Sequence, residues 1–386
     1  MNITVDATGI NELSPSGMSN YAVQLLRHLS HQNDINKYTV YSLRFNLKDS
    51  ISQTHNIEYK RIPDIFSFWK FWFSWLSWYY TAFPFQLSRD KPDVYLGMYP
   101  SLPLFCPCPK IIVVYDLSPL TFSQFFPAGF GLLFKLQIVN AIKRADRIIA
   151  ISKSTKDDLV KLLKADPVKI TVVYPGYDTS IFKPVLDTYQ IKIVKQRYGI
   201  DSDYIIYVGT LEPRKNIKRL IEGFAELVKK GDVNHKLVIA GKKGWLYDEI
   251  FETLSILGLN SEIIFTDYAP LEDLPPLLSG ADAFIYPSLY EGFGLPVLEA
   301  MACGTPVITS RVSSLPEVIG DAGILIDPYN VKDIALAMQN VVSDKELRKR
   351  MRQKGLERAN LFSWETAAES VINLFKDVYS LRKVDK

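Results

Sequence analysis

The sequence is poor in cysteine and histidine, and it has almost no excess of charge of either sign. Three cysteines and four histidines in 386 residues are too few for a disulfide framework or a zinc module. Cys106 and Cys108 flank a proline in a CPCP run, and no second cysteine or histidine pair follows nearby. This cysteine usage predicts a reduced, cytoplasmic protein without a bound metal.

The charge balance argues against nucleic acid as a partner. The chain has 45 lysine and arginine residues against 42 aspartate and glutamate residues, a net charge of +3, and its lysines are scattered. The start MNITVDATG has no basic stretch and no cleavage site, so no signal peptide is expected. Hydrophobic content of 47% is typical of a globular protein, and the length predicts two domains.

Short apolar runs alternate with helical patterns along most of the chain, as in parallel α/β proteins. Strand-length runs rich in isoleucine and valine predict strands buried on both faces. They are NITVDA, TVYSL, DVYLGM, KIIVVYD, RIIAIS and KITVVYP in the first half, and YIIYVGT, KLVIAG, EIIFTD, AFIYPS, PVITS and GILID in the second. The turn-rich residues 176–195 predict a linker, and two such domains predict a ligand cleft between them.

The most specific pattern is YEGFGLPVLEAMACGTPVITS, residues 290–310. A Gly-Phe-Gly-Leu-Pro turn after a strand opens a helix, and free N–H groups at a helix start suit a phosphate. Glu291 precedes this helix and Glu299 lies inside it. Two glutamates at this spacing are commonly only solvated side chains, but the flanking glycines and strands favour a binding site.

A second pattern is VGTLEPRKNIKRLIEGFAEL, residues 208–227. Arg214 and Lys215 lie in the turn between a strand and a helix, where two cations predict a clamp for a diphosphate; the alternative is a solvated basic pair. Both patterns fall at the carboxyl ends of strands, where open α/β sheets bind ligands. The expected ligand carries a diphosphate and hydroxyl-rich sugars, as a nucleotide sugar does.

EGFGLPVLEAMACGTPVI resembles the Glu-x7-Glu signature of the retaining GT-B glycosyltransferases, a group that includes bacterial glycogen synthase. GTLEPRKN, PEVIGDAGILIDP and SPSGMSNYAVQLLRHL are similar too, so the resemblance covers essentially the whole chain. It implies two Rossmann-like α/β domains facing a central cleft. Residues 1–180 would bind the acceptor, residues 190–363 would bind the nucleotide sugar, and a C-terminal helix at about 364–386 would cross back to the first domain.

The resemblance also implies site residues. Glu299 would hold the ribose hydroxyls, Glu291 would contact the transferred sugar, and Arg214 with Lys215 would neutralise the departing diphosphate. The implied catalytic residues are Arg214, Lys215, Glu291 and Asp116. The implied substrate-binding residues are Gly17, Tyr115, Gly209, Phe293, Gly294, Leu295 and Glu299.

The chain departs from the family pattern at two positions. Many relatives have an arginine directly after the strand-end glycine, where this chain has Thr210, and we expect Arg214 to substitute. Many also have His-Asp where this chain has Tyr115–Asp116. A tyrosine hydroxyl can still form a hydrogen bond to a sugar, and Asp116 is expected to position the reactants.

The function implied is retaining transfer of a hexose from a nucleoside-diphosphate sugar, UDP-glucose before GDP-mannose. The acceptor would be a glycan or lipid-linked hydroxyl in polysaccharide or glycolipid biosynthesis, and no cofactor or metal is expected. Two alternatives stay open. One is a sugar-nucleotide epimerase of the same fold, and the other is a non-catalytic partner subunit that binds sugar or nucleotide.

The segment WKFWFSWLSWYY, residues 69–80, has a narrow polar stripe and a broad apolar arc when wound as a helix. Pro84 and several serines argue against a membrane span. Two interpretations remain. The helix is buried in its own domain, or residues 65–85 contact a membrane interface, which would place the cytoplasmic protein on the inner face of the membrane.

Overall fold

The computed structural model describes residues 1–8, 17–32, 36–42, 56–61, 79–231 and 234–384. The chain divides into two compact units, each built on one parallel sheet. Unit 1 comprises Met1–Thr121, Pro127–Gly176 and Ser363–Lys386, and unit 2 comprises Phe122–Phe126 and Tyr177–Phe362.

The sheet of unit 1 has seven strands in the order β3-β2-β1-β4-β5-β6-β7, paired in parallel throughout. The strands are β1 (Asn2–Asp6), β2 (Lys37–Ser42), β3 (Ile57–Arg61), β4 (Val94–Gly97), β5 (Lys110–Val114), β6 (Arg147–Ala150) and β7 (Ile170–Val172). The helices described in unit 1 before residue 177 are α1 (Gly17–His31), α2 (Ala82–Asp90), α3 (Ser118–Thr121), α4 (Phe130–Arg144) and α5 (Lys153–Leu163). Strand residues such as Val113 and Ile149 are fully buried, as expected for strands covered on both faces.

The sheet of unit 2 has six strands in the order β10-β9-β8-β11-β12-β13, also parallel. They are β8 (Tyr204–Val208), β9 (Lys236–Ala240), β10 (Ile263–Asp267), β11 (Ala283–Tyr286), β12 (Val307–Ser310) and β13 (Ile324–Ile326). All twelve predicted strands are therefore confirmed. The edge strand β3 was missed, because IEYKR has no apolar run.

Eight helices described in unit 2 surround this sheet. They are α6 (Thr188–Arg197), α7 (Ile217–Lys229), α8 (Asp248–Leu257), α9 (Leu274–Ser279), α10 (Leu295–Ala302), α11 (Leu315–Ile319), α12 (Val331–Ser343) and α13 (Lys345–Ala359). The predicted linker 176–195 is wrong over its second half, where α6 begins. Asp187 caps this helix by accepting a hydrogen bond from the Tyr189 amide at 2.9 Å.

The last helix, α14 (Trp364–Val384), belongs to unit 1, as predicted for the C-terminal helix. Its apolar stripe is buried and consists of Ala368, Val371, Ile372, Phe375 and Val378. Trp364 is 1% exposed and packs edge-on against Tyr21 of α1 with ring centroids 5.3 Å apart. This stripe anchors the chain terminus to the core of unit 1.

Most of the aromatic segment 69–80 lies outside the described residues, including Trp69, Trp72, Trp75 and Trp78. Tyr79, the first described residue after this gap, is buried in the core of unit 1. Phe83 is buried there as well, whereas Phe85 is 67% exposed. Among the helices that are described, none is long and apolar enough to cross a membrane.

Candidate active site

Four charged side chains meet at the carboxyl ends of β8 and β11 in unit 2. Lys215 Nζ lies 2.7 Å from Glu291 Oε1, and Arg214 Nη1 lies 3.1 Å from Glu291 Oε2. Arg214 Nη2 also donates to Glu212 Oε1 at 2.6 Å. All four side chains are at most 15% exposed. The structure thus brings Arg214, Lys215 and Glu291 together and adds Glu212; we call these four residues the charge cluster.

Backbone and side-chain hydrogen bonds hold the turn after β8 against the loop after β11. The Leu289 amide donates to the Arg214 carbonyl at 2.9 Å. Asn216 has a left-handed backbone with φ of 62°, and its Nδ2 donates to the carbonyls of Pro287 at 3.0 Å and Pro328 at 2.7 Å. The two sequence motifs are therefore fixed to each other before any ligand binds.

Glu291 stays ionised although it is buried. Burial alone would raise the pKa of Glu291, but Arg214 and Lys215 hold it at about 2. Burial lowers the pKa of Lys215, and the attraction of Glu291 opposes that effect. Two cations and two carboxylates give the cluster no net charge, and each ion has a close partner of opposite sign.

Lys215 contacts Tyr286, whose ring stacks on that of Tyr207. Lys215 Nζ donates to the Tyr286 hydroxyl at 2.7 Å and lies 5.1 Å from the centroid of the Tyr286 ring. The rings of Tyr207 and Tyr286 stack with centroids 5.7 Å apart. These rings restrict the position of the ammonium group, so Lys215 is held as a fixed point charge.

The loop between Glu291 and α10 has a conformation that requires glycine. Gly294 has a φ of 107°, and a Cβ there would lie 2.7 Å from Leu315 Cδ2. Ser314 Oγ donates to the carbonyls of Glu291 at 2.9 Å and Phe293 at 2.8 Å. The predicted backbone contacts at Phe293, Gly294 and Leu295 therefore lie at the start of α10, where amides can face a phosphate or sugar.

Glu299 and Gly209 lie near the charge cluster in sequence but have different surroundings. Glu299 lies on α10 and is half-buried, and desolvation raises its pKa to about 7. Gly209 follows β8, and a Cβ there would lie 2.7 Å from the Tyr207 hydroxyl oxygen. The packing of unit 2 by itself therefore favours glycine at this position.

The predicted residues of unit 1 lie at the carboxyl end of β5 and the start of α1. Tyr115 is 6% exposed and donates its hydroxyl proton to the Met98 carbonyl at 3.0 Å. Its oxygen can therefore only accept a further hydrogen bond. Asp116 Oδ1 accepts from the amide and hydroxyl of Ser118 at 2.9 and 2.7 Å. Gly17 is exposed, and a Cβ there would meet no atom of the described residues within 4 Å.

Glu212 and Ser314 were missed in the sequence. Glu212 is an acidic residue two positions before Arg214, which in sequence looks like an ordinary surface pair. Ser314 lies more than twenty residues after Glu291, and nothing local connects them. Of these two residues, only Glu212 could have been identified from the sequence, because an acidic residue beside two basic ones can serve as their counter-ion.

Glu212→Gln should lower the free energy of unfolding by about 1.5–3 kcal/mol, because Arg214 loses a buried charged partner. Thermal unfolding measures this change. Glu226→Gln is the control, since Glu226 forms an exposed pair with Lys229 at 3.4 Å and should stay within about 0.5 kcal/mol. If the two variants were equally stable, the ion pair of Glu212 with Arg214 would not contribute to stability.

Side chains able to share a metal ion lie elsewhere in unit 2. Within the described ranges, Asp203, His235 and Asp282 form such a group, with ligand atoms within 4.8 Å of one another. These residues precede β8, β9 and β11, at the amino ends of the strands. The group is therefore at the sheet edge opposite the charge cluster.

Comparisons with known proteins agree in both halves of the chain. The family described as "Glycosyl transferases group 1" matches residues 190–358, and "Glycosyltransferase Family 4" matches residues 15–181. An O-antigen chain mannosyltransferase B of Escherichia coli is 33% identical over 69% of this chain and 70% of its own length. The serotype-specific mannosyltransferase WbdA of Escherichia coli is 29% identical over 70% of this chain, which spans only 33% of that protein.

Solved structures give the same fold at lower identity. Sucrose-phosphate synthase from Thermosynechococcus elongatus superposes with a TM-score of 0.80 at 20% identity, covering 98% of this chain and 99% of the other. Anabaena HepE, in complex with UDP-glucose, superposes with a TM-score of 0.76 at 18% identity, covering 98% and 100%.

Proposed function

Because the chain belongs to the group 1 glycosyltransferases and has the GT-B fold, we propose that it transfers a hexose with retention at the anomeric carbon. It acts in glycan biosynthesis, and the acceptor we propose is a hydroxyl of a glycan or a lipid-linked glycan. The observation that carries this proposal is the buried charge cluster, whose two cations lie beside the predicted phosphate-facing start of α10.

For the donor we propose GDP-mannose first and UDP-glucose second. The two Escherichia coli relatives at 33% and 29% identity are mannosyltransferases, and this supports a mannosyl donor. UDP-glucose, which the sequence analysis placed first, keeps support from the HepE complex, whose identity to this chain is only 18%. Both donors share the chemistry that the charge cluster would recognise, a diphosphate linked to a hexose.

In the proposed reaction, the bond between the anomeric carbon and the β-phosphate oxygen breaks. The acceptor hydroxyl oxygen bonds to the same face of that carbon, and its proton passes to the departing phosphate. Arg214 and Lys215 stabilise the negative charge that grows on the diphosphate, a contribution that preorganised cations make without rearranging. Glu291 holds these two cations and contacts the sugar, and the start of α10 donates amides.

The unit 1 residues have supporting roles in this proposal. Asp116 would position the acceptor through the carboxylate oxygen that Ser118 leaves available, and Tyr115 would contribute only its oxygen as an acceptor. Gly17 would allow close approach of the diphosphate, because none of the described residues of unit 1 is near enough to require a glycine there. Replacing Gly17 by alanine should therefore raise the KM for the donor without lowering stability.

Thermal shifts and turnover with GDP-mannose, UDP-glucose, GDP and UDP test the proposal. A donor at a hundred times its Kd should stabilise the fold by about 2.7 kcal/mol. Transfer to a mannosylated glycan should survive EDTA, because the two cations take the place of a metal. Conversion of a donor to its epimer without transfer would instead establish an epimerase, and binding without turnover would establish a non-catalytic partner subunit.

Affinity for the donor should depend on pH through Glu299. Its pKa of about 7 lies above the ordinary value of 4.5, and ribose hydroxyls favour the ionised acceptor. Binding should therefore tighten by up to about tenfold between about pH 6 and pH 8. The donor is the right probe, because its diphosphate has no proton that titrates in this range. Isothermal titration calorimetry should show that the donor affinity of Glu299→Gln no longer depends on pH. If the affinity of this variant still changed with pH, Glu299 would not be the residue that binds the ribose.

A further inference from the structure

Helix α4 exposes leucines on the surface of unit 1. Leu132, Leu133 and Leu136 are 64%, 59% and 62% exposed. Successive helical residues are about 100° apart, so the three leucines fall within an arc of about 100°. The opposite side of the helix packs into the core through Phe134, Ile138, Ala141 and Ile142. The helix therefore has two apolar faces, and its own unit covers one of them.

Basic residues accompany this exposed face, and acidic residues are missing from its sequence. Residues 117–145 contain Lys135, Lys143 and Arg144 and not one aspartate or glutamate. Lys135 and Lys143 are exposed. An apolar and cationic face complements a lipid bilayer with anionic headgroups, because the headgroups attract the lysines and the acyl chains below them accept the leucines.

A second apolar element is attached to the end of the same helix. Arg144 Nη2 donates to the carbonyls of Pro103 at 2.6 Å and Leu104 at 2.8 Å. These bonds hold the loop 103–105 at the carboxyl end of α4, where Leu104 and Phe105 are 67% and 57% exposed. Five exposed large apolar side chains thus occur on two connected elements.

We propose that α4 and the loop 103–105 dock unit 1 on an anionic bilayer surface. The leucines enter the headgroup boundary, and the lysines extend their apolar stems along it while their ammonium groups contact lipid phosphates. Exposed apolar patches also occur at protein interfaces, but the cationic character without any acidic residue favours lipid. The proposal holds whichever donor the enzyme uses, and it places the contact on residues other than 65–85.

Sedimentation with vesicles tests the docking face. The full-length chain should pellet with vesicles of phosphatidylcholine and phosphatidylglycerol, and stay in the supernatant with phosphatidylcholine alone. The triple change L132S, L133S and L136S should lower the partition coefficient by at least about a hundredfold. Lys135→Ala and Lys143→Ala should lower it by about fivefold each.

Matched controls separate docking from folding and from catalysis. Ile256→Ser on α8 of unit 2 removes a side chain that is 83% exposed, and vesicle binding should not change. The leucine variant should keep the wild-type unfolding temperature and its turnover of water-soluble substrates, since its changes are exposed and outside the charge cluster. A wild type that stays in the supernatant with anionic vesicles overturns the proposal. So does a leucine variant that still pellets, or one that changes only the dimer fraction in analytical ultracentrifugation.

Discussion

Lys215→Ala should reduce kcat by about a hundred- to a thousandfold while the KM for the donor changes much less. In the proposed reaction, negative charge grows on the diphosphate in the transition state. Lys215 is held in place by Glu291 at 2.7 Å and by the Tyr286 hydroxyl at 2.7 Å. A fixed cation favours the transition state more than the ground state. Steady-state kinetics with the preferred donor measures the effect.

Lys218→Ala provides the control for this experiment. Lys218 lies three residues later on α7, is 50% exposed and forms an exposed pair with Glu249 at 3.2 Å. Its removal should leave kcat and KM within about twofold, because an exposed pair contributes little. Rates are compared at a temperature where both variants are folded. A Lys215→Ala enzyme with wild-type kcat would exclude the ammonium from the reaction.

Glu291→Gln should cost about 3 kcal/mol of stability at neutral pH, and the cost should vanish in acid. The folded pKa of about 2 lies below the ordinary value of 4.5, so the carboxylate contributes stability above the unfolded pKa. That contribution is lost as the pH falls from about 5 to about 2. The variant also removes a carboxylate partner from both Arg214 and Lys215, so turnover should fall with stability.

Urea unfolding at several pH values tests the assignment. The wild type and Glu291→Gln should converge only at about pH 2, whereas a purely steric effect of the amide would persist at every pH. Glu249→Gln is a suitable comparison, because Glu249 is 71% exposed and its replacement should change stability by less than about 0.5 kcal/mol. A constant difference between wild type and Glu291→Gln would mean that the ion pairs do not set the pKa of Glu291.

The strands were predictable because a strand covered on both faces needs a continuous apolar run. The helix α7 was predictable for a related reason, since Leu220, Ile221, Phe224 and Leu227 repeat at helical spacing and are all buried. The helix α6 escaped prediction, because it buries only Val194 and its sequence shows little apolar periodicity. Its start depends on the cap at Asp187, a local hydrogen bond that a hydrophobic pattern does not report.

Part of the site was predictable, because residues suited to binding a diphosphate sugar occur in the sequence directly after predicted strands. Glycines, cations and glutamates at strand ends pointed to the carboxyl edge of the second sheet, and the structure brings Arg214, Lys215 and Glu291 together there. The pairing itself was not predictable. The sequence suggested only a sugar contact for Glu291, and the structure adds that both of its oxygens accept from cations. Glu212 completes the set because the turn folds it inward.

Burial of the charge cluster has a consequence for how the protein responds to ionic strength. Mobile ions screen exposed charges over a Debye length of about 10 Å at 0.1 M salt, but they screen buried pairs much less. The side chains of the cluster are at most 15% exposed, whereas Lys135 and Lys143 are exposed. If the proposed docking and catalysis hold, added salt should detach the protein from an anionic surface while the ion pairs of the charge cluster stay intact. Location and turnover would then respond separately to the same change in the medium.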